Sequence, residues 1–131
     1  MVSNNMDATR RMEIELPLEP ESAQRARAAI APLGTDAELS SFDDVRLLVS
    51  ELVCDALATY PRPAEGAINV QAQVAGGLTQ VAVRFDGMRL PLPAARREPA
   101  EPGWGVYLVQ TLATRWSAGR ESGSTYVWFE A

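Results

Sequence analysis

A two-layer α/β sandwich, with helices on one face of a mostly antiparallel sheet, is the fold class that the sequence predicts. Two observations favour it. Segments that alternate apolar and polar residues, as half-buried strands do, are interleaved with segments whose apolar residues recur at helical spacing. The order of these segments is strand, helix, helix, hairpin, loop, helix and hairpin. Hairpins pair neighbouring strands antiparallel, and helices with one apolar face bury that face against the sheet.

The first strand and the first helix are predicted after a polar, flexible tail over residues 1–10. The strand has a period of two, which sets apolar positions against acidic ones: Met12, Ile14 and Leu16 against Glu13 and Glu15. Two prolines end it. Residues 22–33 are rich in Ala, Arg and Gln, which favours a helix, and Pro32 and Gly34 close that helix.

The second predicted helix carries a well-defined apolar face. Ser41 is the candidate N-cap, and Asp44 follows three residues later, close to the spacing of a capping box. Apolar residues then fall on one side: Val45, Val49, Leu52 and Ala56, with Leu48 and Val53 beside them. The helix is predicted to reach about Tyr60, where Pro61 and Pro63 stop it.

A hairpin and an irregular loop follow this helix. Residues 68–74 and 81–85 alternate apolar and polar side chains, and Gly76 and Gly77 form the turn between them. Four prolines interrupt residues 88–102, which predicts a loop without regular structure.

The last helix and the last hairpin complete the chain. Gly103 and Gly105 mark the start of the helix, whose apolar face is predicted to contain Val106, Val109, Leu112 and Ala113. Residues 115–120 and 125–130 are predicted to form the final hairpin.

Composition excludes several classes of function. The 131 residues, 47% of them hydrophobic, suit one domain, predicted over residues 11–131. Histidine is absent and Cys54 is the single cysteine, which excludes a Ser-His-Asp triad, a Cys/His zinc site and an internal disulfide. A net charge of −5 without a basic stripe argues against a nucleic-acid partner. No apolar run is long enough to span a membrane and no secretory signal is evident, so we expect a cytoplasmic protein.

Two pairs of residues are candidates for chemistry. Glu51 and Asp55 are four apart on the second helix, so their carboxylates share a face, and a Mg²⁺ ion there would relieve their repulsion. A solvated helix face has the same spacing. Gly103 and Gly105 at a helix start would let the backbone N–H groups approach an anion, although an ordinary tight turn uses the same residues.

Four stretches of the chain occur in a familiar order: residues 43–53 (DDVRLLVSELV), 83–87 (VRFDG), 103–109 (GWGVYLV) and 123–130 (GSTYVWFE). In order and spacing they resemble the Bergerat-type ATPase domain of histidine kinases, and most closely its branch of anti-sigma-factor serine kinases. The resemblance covers about residues 12–131. It implies the histidine-kinase-like ATPase fold, with ATP and Mg²⁺ as ligands.

The resemblance also implies roles for individual residues. Glu51 matches the glutamate that activates the attacking hydroxyl or water, and Asp55 stands where the family has an asparagine that holds Mg²⁺. Gly103 and Gly105 match part of the phosphate-binding region. Thr125 matches the threonine that supports the adenine-binding aspartate.

The adenine-binding motif departs from the family pattern Asp-x-Gly-x-Gly. Phe85 stands in place of the aspartate that accepts a hydrogen bond from the adenine amino group, and phenylalanine cannot accept one. Asp86 and Gly87 follow, and Asp86 would replace the missing aspartate only if the strand slipped by one residue. Arg89 stands at the last glycine of the motif, where its long side chain would either fill the pocket or reach a phosphate.

Three hypotheses about function follow. The preferred one is a regulatory binding module whose nucleotide binding is weak or lost and whose surface binds a sigma factor or an anti-anti-sigma protein. The alternative is an active serine/threonine kinase that phosphorylates an anti-anti-sigma domain, with Glu51 as general base and Asp55 as the Mg²⁺ ligand. The third is a domain that serves oligomerisation alone. The resemblance implies a homodimer in addition.

Overall fold

The computed structural model describes residues 10–35, 39–60, 66–92, 96–99 and 101–131. Its regular elements are, in chain order, β1 (Arg10–Pro17), α1 (Ser22–Ile30), a 3₁₀ turn (Ala31–Thr35), α2 (Leu39–Thr59), β2 (Ala67–Ala75), β3 (Leu78–Asp86), α3 (Trp104–Leu112), β4 (Arg115–Glu121) and β5 (Ser124–Glu130). The predicted tail lies outside the described residues except for Arg10, which begins β1.

The five strands form one sheet in the order β1-β2-β3-β5-β4, and all neighbouring pairs are antiparallel. The two predicted hairpins are β2–β3 and β4–β5. Each strand alternates residues that face the helices with residues that face away. The predicted two-layer sandwich is therefore confirmed, and β3 lies at its centre.

The core fills the space between the helices and one face of the sheet. The predicted face of α2 is fully buried, with no solvent exposure at Val45, Leu48, Val49, Leu52, Val53 and Ala56. The sheet contributes the alternate side chains of its central strands, among them Ile68, Val70, Val83, Phe85 and Phe129. Burial of these apolar side chains on both layers is what holds the helices to the sheet.

Three details differ from the sequence-based predictions. The helix predicted over residues 22–33 ends at Ile30 and tightens into a 3₁₀ turn, because Pro32 has no N–H to continue an α-helix. Ser41 lies inside α2 and not before it, since Phe42 packs directly against Gly34 and ties this first turn to the core. Leu112, the last residue of α3, is 37% exposed, so the apolar face of that helix is narrower than predicted.

The face of the sheet away from the helices carries a row of hydrogen-bonded polar side chains. Gln73 on β2 donates to Gln80 on β3 over 2.6 Å, and Gln80 donates to Glu130 on β5 over 2.9 Å. Arg115 on β4 lies 3.8 Å from the other oxygen of Glu130. We call these four residues the polar row. It crosses four of the five strands in register.

Over the described part of the chain, no helix combines the length and apolar character that a membrane span requires.

Candidate functional site

The candidate site lies where α2 meets the first turn of α3. Asp55 on α2 is only 4% exposed, and its two carboxylate oxygens point at the backbone of that turn. The N–H of Gly103 donates to Oδ1 over 3.0 Å, and the N–H of Gly105 donates to Oδ2 over 3.1 Å. The first N–H groups of a helix have no acceptor within the helix itself. Asp55 supplies that acceptor, so its carboxylate caps α3 from another helix.

The two glycines are required by the local geometry. Gly103, the residue before α3, has a φ of 93°, a left-handed conformation that side chains disfavour. Gly105 lies directly against the backbone of α2, where an added Cβ would stand 2.8 Å from the carbonyl oxygen of Glu51 and 3.0 Å from the Cα of Leu52. The two helices approach this closely because position 105 has no side chain. This approach also brings Asp55 within reach of the N–H groups.

Burial raises the pKa of Asp55 to about 6, and the N–H donors of Gly103, Gly105 and Val106 oppose that rise. The negative charge of Glu51, one turn earlier on α2, is a smaller cause of this raised pKa. Both of its oxygens accept hydrogen bonds from N–H groups, as the oxygens of an ionised carboxylate do. The site is thus a buried carboxylate held by backbone dipoles at a helix N-terminus.

Phe85 occupies the helix-facing side of β3. It pairs with Ile68 on β2 and Thr125 on β5, and its side chain has no solvent exposure. Asp86 faces the opposite side of the sheet, where Arg84 donates to it over 2.7 Å. The strand has therefore not slipped by one residue, and Asp86 lies on the other face of the sheet from α2 and α3.

The segment that follows β3, residues 87–90, is tied to β5 by side-chain hydrogen bonds. The N–H of Gly87 donates to the Ser124 hydroxyl over 3.1 Å. The Thr125 hydroxyl donates to the carbonyl of Met88 over 2.8 Å and accepts from the N–H of Leu90 over 3.0 Å. The side chains of Met88 and Leu90 are almost completely buried beneath these contacts.

Two further contacts hold the 87–90 segment from its other sides. The N–H of Arg89 donates to the Tyr60 hydroxyl over 2.8 Å, and Arg120 donates to the carbonyl of Leu90 over 2.7 Å. The Arg89 side chain is exposed, so it does not fill a pocket. Met88 and Leu90, on either side of Arg89, are the side chains of this segment that are buried.

Replacing Thr125 with valine is expected to lower the free energy of unfolding by about 2 kcal/mol, because the buried N–H of Leu90 and carbonyl of Met88 lose their partner. The shape of the side chain is kept, so no cavity contributes. Chemical denaturation followed by circular dichroism measures the change. The matched control is Thr111→Val on the exposed side of α3, where water replaces the lost hydroxyl. Equal losses for the two variants would contradict the prediction.

The structure brings some of the predicted site residues together and separates others. Asp55, Gly103 and Gly105 form one junction, and the backbone of Glu51 is in contact with it. Thr125 pairs with Phe85 and binds the 87–90 segment, whereas Asp86 faces away. Within the described residues, no group of three or more Asp, Glu, Cys or His side chains is placed to hold a metal ion.

Several residues that shape the site carry no recognisable signal in the sequence. Ser124, Arg120 and Tyr60 lie far from residues 87–90 along the chain and meet them only in the folded structure. The sequence indicates the burial of Met88 and Leu90 only weakly, through their apolar character inside a proline-rich loop.

Comparisons with known proteins agree with this architecture. The family model described as "Histidine kinase-like ATPase domain" matches residues 16–130. No curated protein matches the chain. Among solved structures, the RsbU and RsbW domains of Rv1364c from Mycobacterium tuberculosis align with a TM-score of 0.68 at 21% identity. The alignment covers 92% of this chain and 32% of that one, so the chain spans about a third of the length of that protein. The match of the family model over most of the sequence, with the fold described above, shows that the chain belongs to the histidine kinase-like ATPase domain family.

Proposed function

We propose that this protein is an anti-sigma-factor-like regulator that acts by binding another protein, and that its nucleotide binding is weak or lost. The observation that carries the proposal is the apolar, buried interior beside β3. Phe85, Met88 and Leu90 are all buried there, and the 87–90 segment is held by hydrogen bonds with side chains of β4, of β5 and of Tyr60 just after α2. None of these three side chains offers a carboxylate oxygen to an adenine amino group.

The residues present do not fit ATP and Mg²⁺ well. Phe85 offers no acceptor for the adenine amino group, and a lost hydrogen bond to a charged acceptor costs about 1.5–3 kcal/mol. The N–H groups of Gly103 and Gly105 already donate to Asp55, so a phosphate would have to displace a carboxylate from them. Asp55 also brings negative charge to the place where a triphosphate would lie, and like charges repel there.

The partner class is proposed from three kinds of support. The four sequence stretches resemble the anti-sigma-factor kinases, the chain belongs to their wider family, and its fold is like that of a structure containing an RsbW domain. On this basis the partner is a sigma factor or an anti-anti-sigma protein. A homodimer and a cytoplasmic location remain expectations from the sequence.

Titration of the purified protein with ATP and Mg²⁺ is expected to give no saturable heat at millimolar nucleotide. The reason is the combined loss of the adenine acceptor and of free N–H donors at α3. Isothermal titration calorimetry makes the measurement, with Glu51→Ala and Asp55→Ala titrated in parallel. Saturable binding by the wild type that requires Mg²⁺ and is lost in Asp55→Ala would overturn the proposal in favour of a working nucleotide site.

The partner itself is sought in a second measurement. Purified sigma factors and anti-anti-sigma domains from the source genome are tested for binding by biolayer interferometry, with and without ATP and Mg²⁺. We expect one of them to bind in the absence of nucleotide, with an affinity that nucleotide leaves unchanged. Absence of binding across the whole set would count against the regulator, and binding that requires ATP would count against the lost site.

The alternative function is a serine/threonine kinase, and one observation favours it. Glu51 is retained on α2 beside the N-terminus of α3, only partly buried, where a general base would be needed. Incubation with labelled ATP, Mg²⁺ and the partner found above tests it. Transfer of label that Glu51→Gln abolishes would establish the kinase.

A further inference from the structure

We propose that Asp55 is a built-in anionic ligand of the α3 N-terminus, which keeps the turn at residues 103–106 in its folded shape without any external anion. This deepens the proposed function and rests on it, because a regulator that has lost its nucleotide needs another source of order at this junction. Asp55 then acts as a positioning residue and not as a metal ligand.

The contacts of the carboxylate are those of an anion in a helix N-terminal site. Each of its two oxygens accepts from one N–H donor, Gly103 at 3.0 Å and Gly105 at 3.1 Å. The N–H of Trp104, between them, donates to the carbonyl of Glu101 instead. The N–H of Val106 also interacts with the Asp55 carboxylate and stabilises its ionised form. Anions are bound at helix N-termini by this set of free N–H groups, together with the helix dipole. Here the anion is supplied by the chain itself.

The carboxylate is fixed in place by the packing around it. Asp55 is 4% exposed and lies on the flank of the buried face of α2, next to Leu48 and Leu52, which have no solvent exposure. Contact between Gly105 and the backbone of Glu51 sets the distance between the two helices. The Asp55 side chain therefore meets α3 in one geometry, and solvent water has little access to the N–H groups that it covers.

A consequence follows for partner binding. When a bound ligand is what holds such a turn in its folded shape, the turn is populated mainly when the ligand is present. With Asp55 as the ligand, the turn is formed at all times. A partner that contacts the first turn of α3 then finds a surface that does not depend on nucleotide concentration.

Amide hydrogen exchange followed by NMR tests the inference on the full chain. In Asp55→Ala, the amides of Gly103, Gly105 and Val106 are expected to exchange about tenfold to a hundredfold faster than in the wild type, because their charged acceptor is gone. Added inorganic phosphate is expected to slow them again in this variant and to leave the wild type unchanged. Asp55→Asn, which keeps one acceptor oxygen, is expected to give intermediate protection.

Asp43→Ala is the matched control, since it removes an exposed carboxylate from the same helix. It is expected to leave the three amides unchanged. Wild-type protection in Asp55→Ala would overturn the inference, as would a rise in exchange spread equally over the core of β3, which would indicate loss of stability alone. Failure of phosphate to slow the variant, or slowing of the wild type by phosphate, would also overturn it. Neither ATP nor a partner protein is present, so this result is separate from the tests of the proposed function.

Discussion

Phe85→Asp, the substitution that restores the family's aspartate, is expected to abolish cooperative folding and not to create an adenine contact. The Phe85 side chain has no exposure, and deletion of a buried phenylalanine costs about 3–5 kcal/mol. An unpaired carboxylate in the same place adds several kcal/mol more. Domains of this size are stable by only about 5–15 kcal/mol, so the sum is comparable to the whole. Urea denaturation followed by tryptophan fluorescence measures the effect.

Tyr126→Asp is the matched control for this substitution. Tyr126 lies on the neighbouring strand β5 and is 39% exposed on the uncovered face of the sheet. The same change of an aromatic residue to aspartate is expected to cost about 1 kcal/mol or less there. If Phe85→Asp unfolded at the same urea concentration as Tyr126→Asp, position 85 would be accessible to water. That result would contradict the buried interior on which the proposed function rests.

Gly105→Ala is expected to lower the free energy of unfolding by about 2–3 kcal/mol, the cost of forcing an extra methyl group into a packed junction. Helix propensity alone predicts the opposite sign, since alanine in a helix is favoured over glycine by about 1 kcal/mol. The difference comes from the backbone of α2, because the new Cβ would lie 2.8 Å from the Glu51 carbonyl oxygen and the helices would have to separate. Thermal and urea denaturation give the sign directly.

Gly119→Ala is the matched control for Gly105→Ala, because its new methyl group would meet a side chain and not a backbone. A Cβ at Gly119 would lie 2.7 Å from the Tyr126 hydroxyl, which is as close a contact as the one at Gly105. Tyr126 is exposed and its ring can turn aside, so the loss is expected to be about 1 kcal/mol or less. Similar losses at the two positions would show that α2 and α3 are not held at a fixed distance.

The fold was largely predictable because its signals are local. The alternation in β1, β2 and β3 and the apolar face of α2 depend on residues within one element, and the structure confirms them. The ends of the helices were less predictable. Ser41 has the chemistry of an N-cap, but the packing of Phe42 against Gly34 extends the helix past it, and that contact joins two elements.

The candidate site was predictable in its parts and not in its arrangement. The sequence indicates Asp55, Gly103 and Gly105 as separate candidates for a binding site. The contact of Asp55 with Gly103 joins residues 48 apart in the chain, so no local pattern predicts it. The absence of an acceptor at Phe85 was visible in the sequence. The burial of the Phe85 side chain depends on the register of β3 against β2 and β5, and that register is set by the sheet as a whole.

The polar row limits the ways in which an aspartate could come to the helix side of β3. A shift of β3 by one residue would bring Asp86 to the helix side of the sheet. The same shift would separate Gln80 from both Gln73 and Glu130. It would also turn Val81 and Val83 out of the core. Recovery of an adenine acceptor by a shift of the strand therefore requires several compensating substitutions at once.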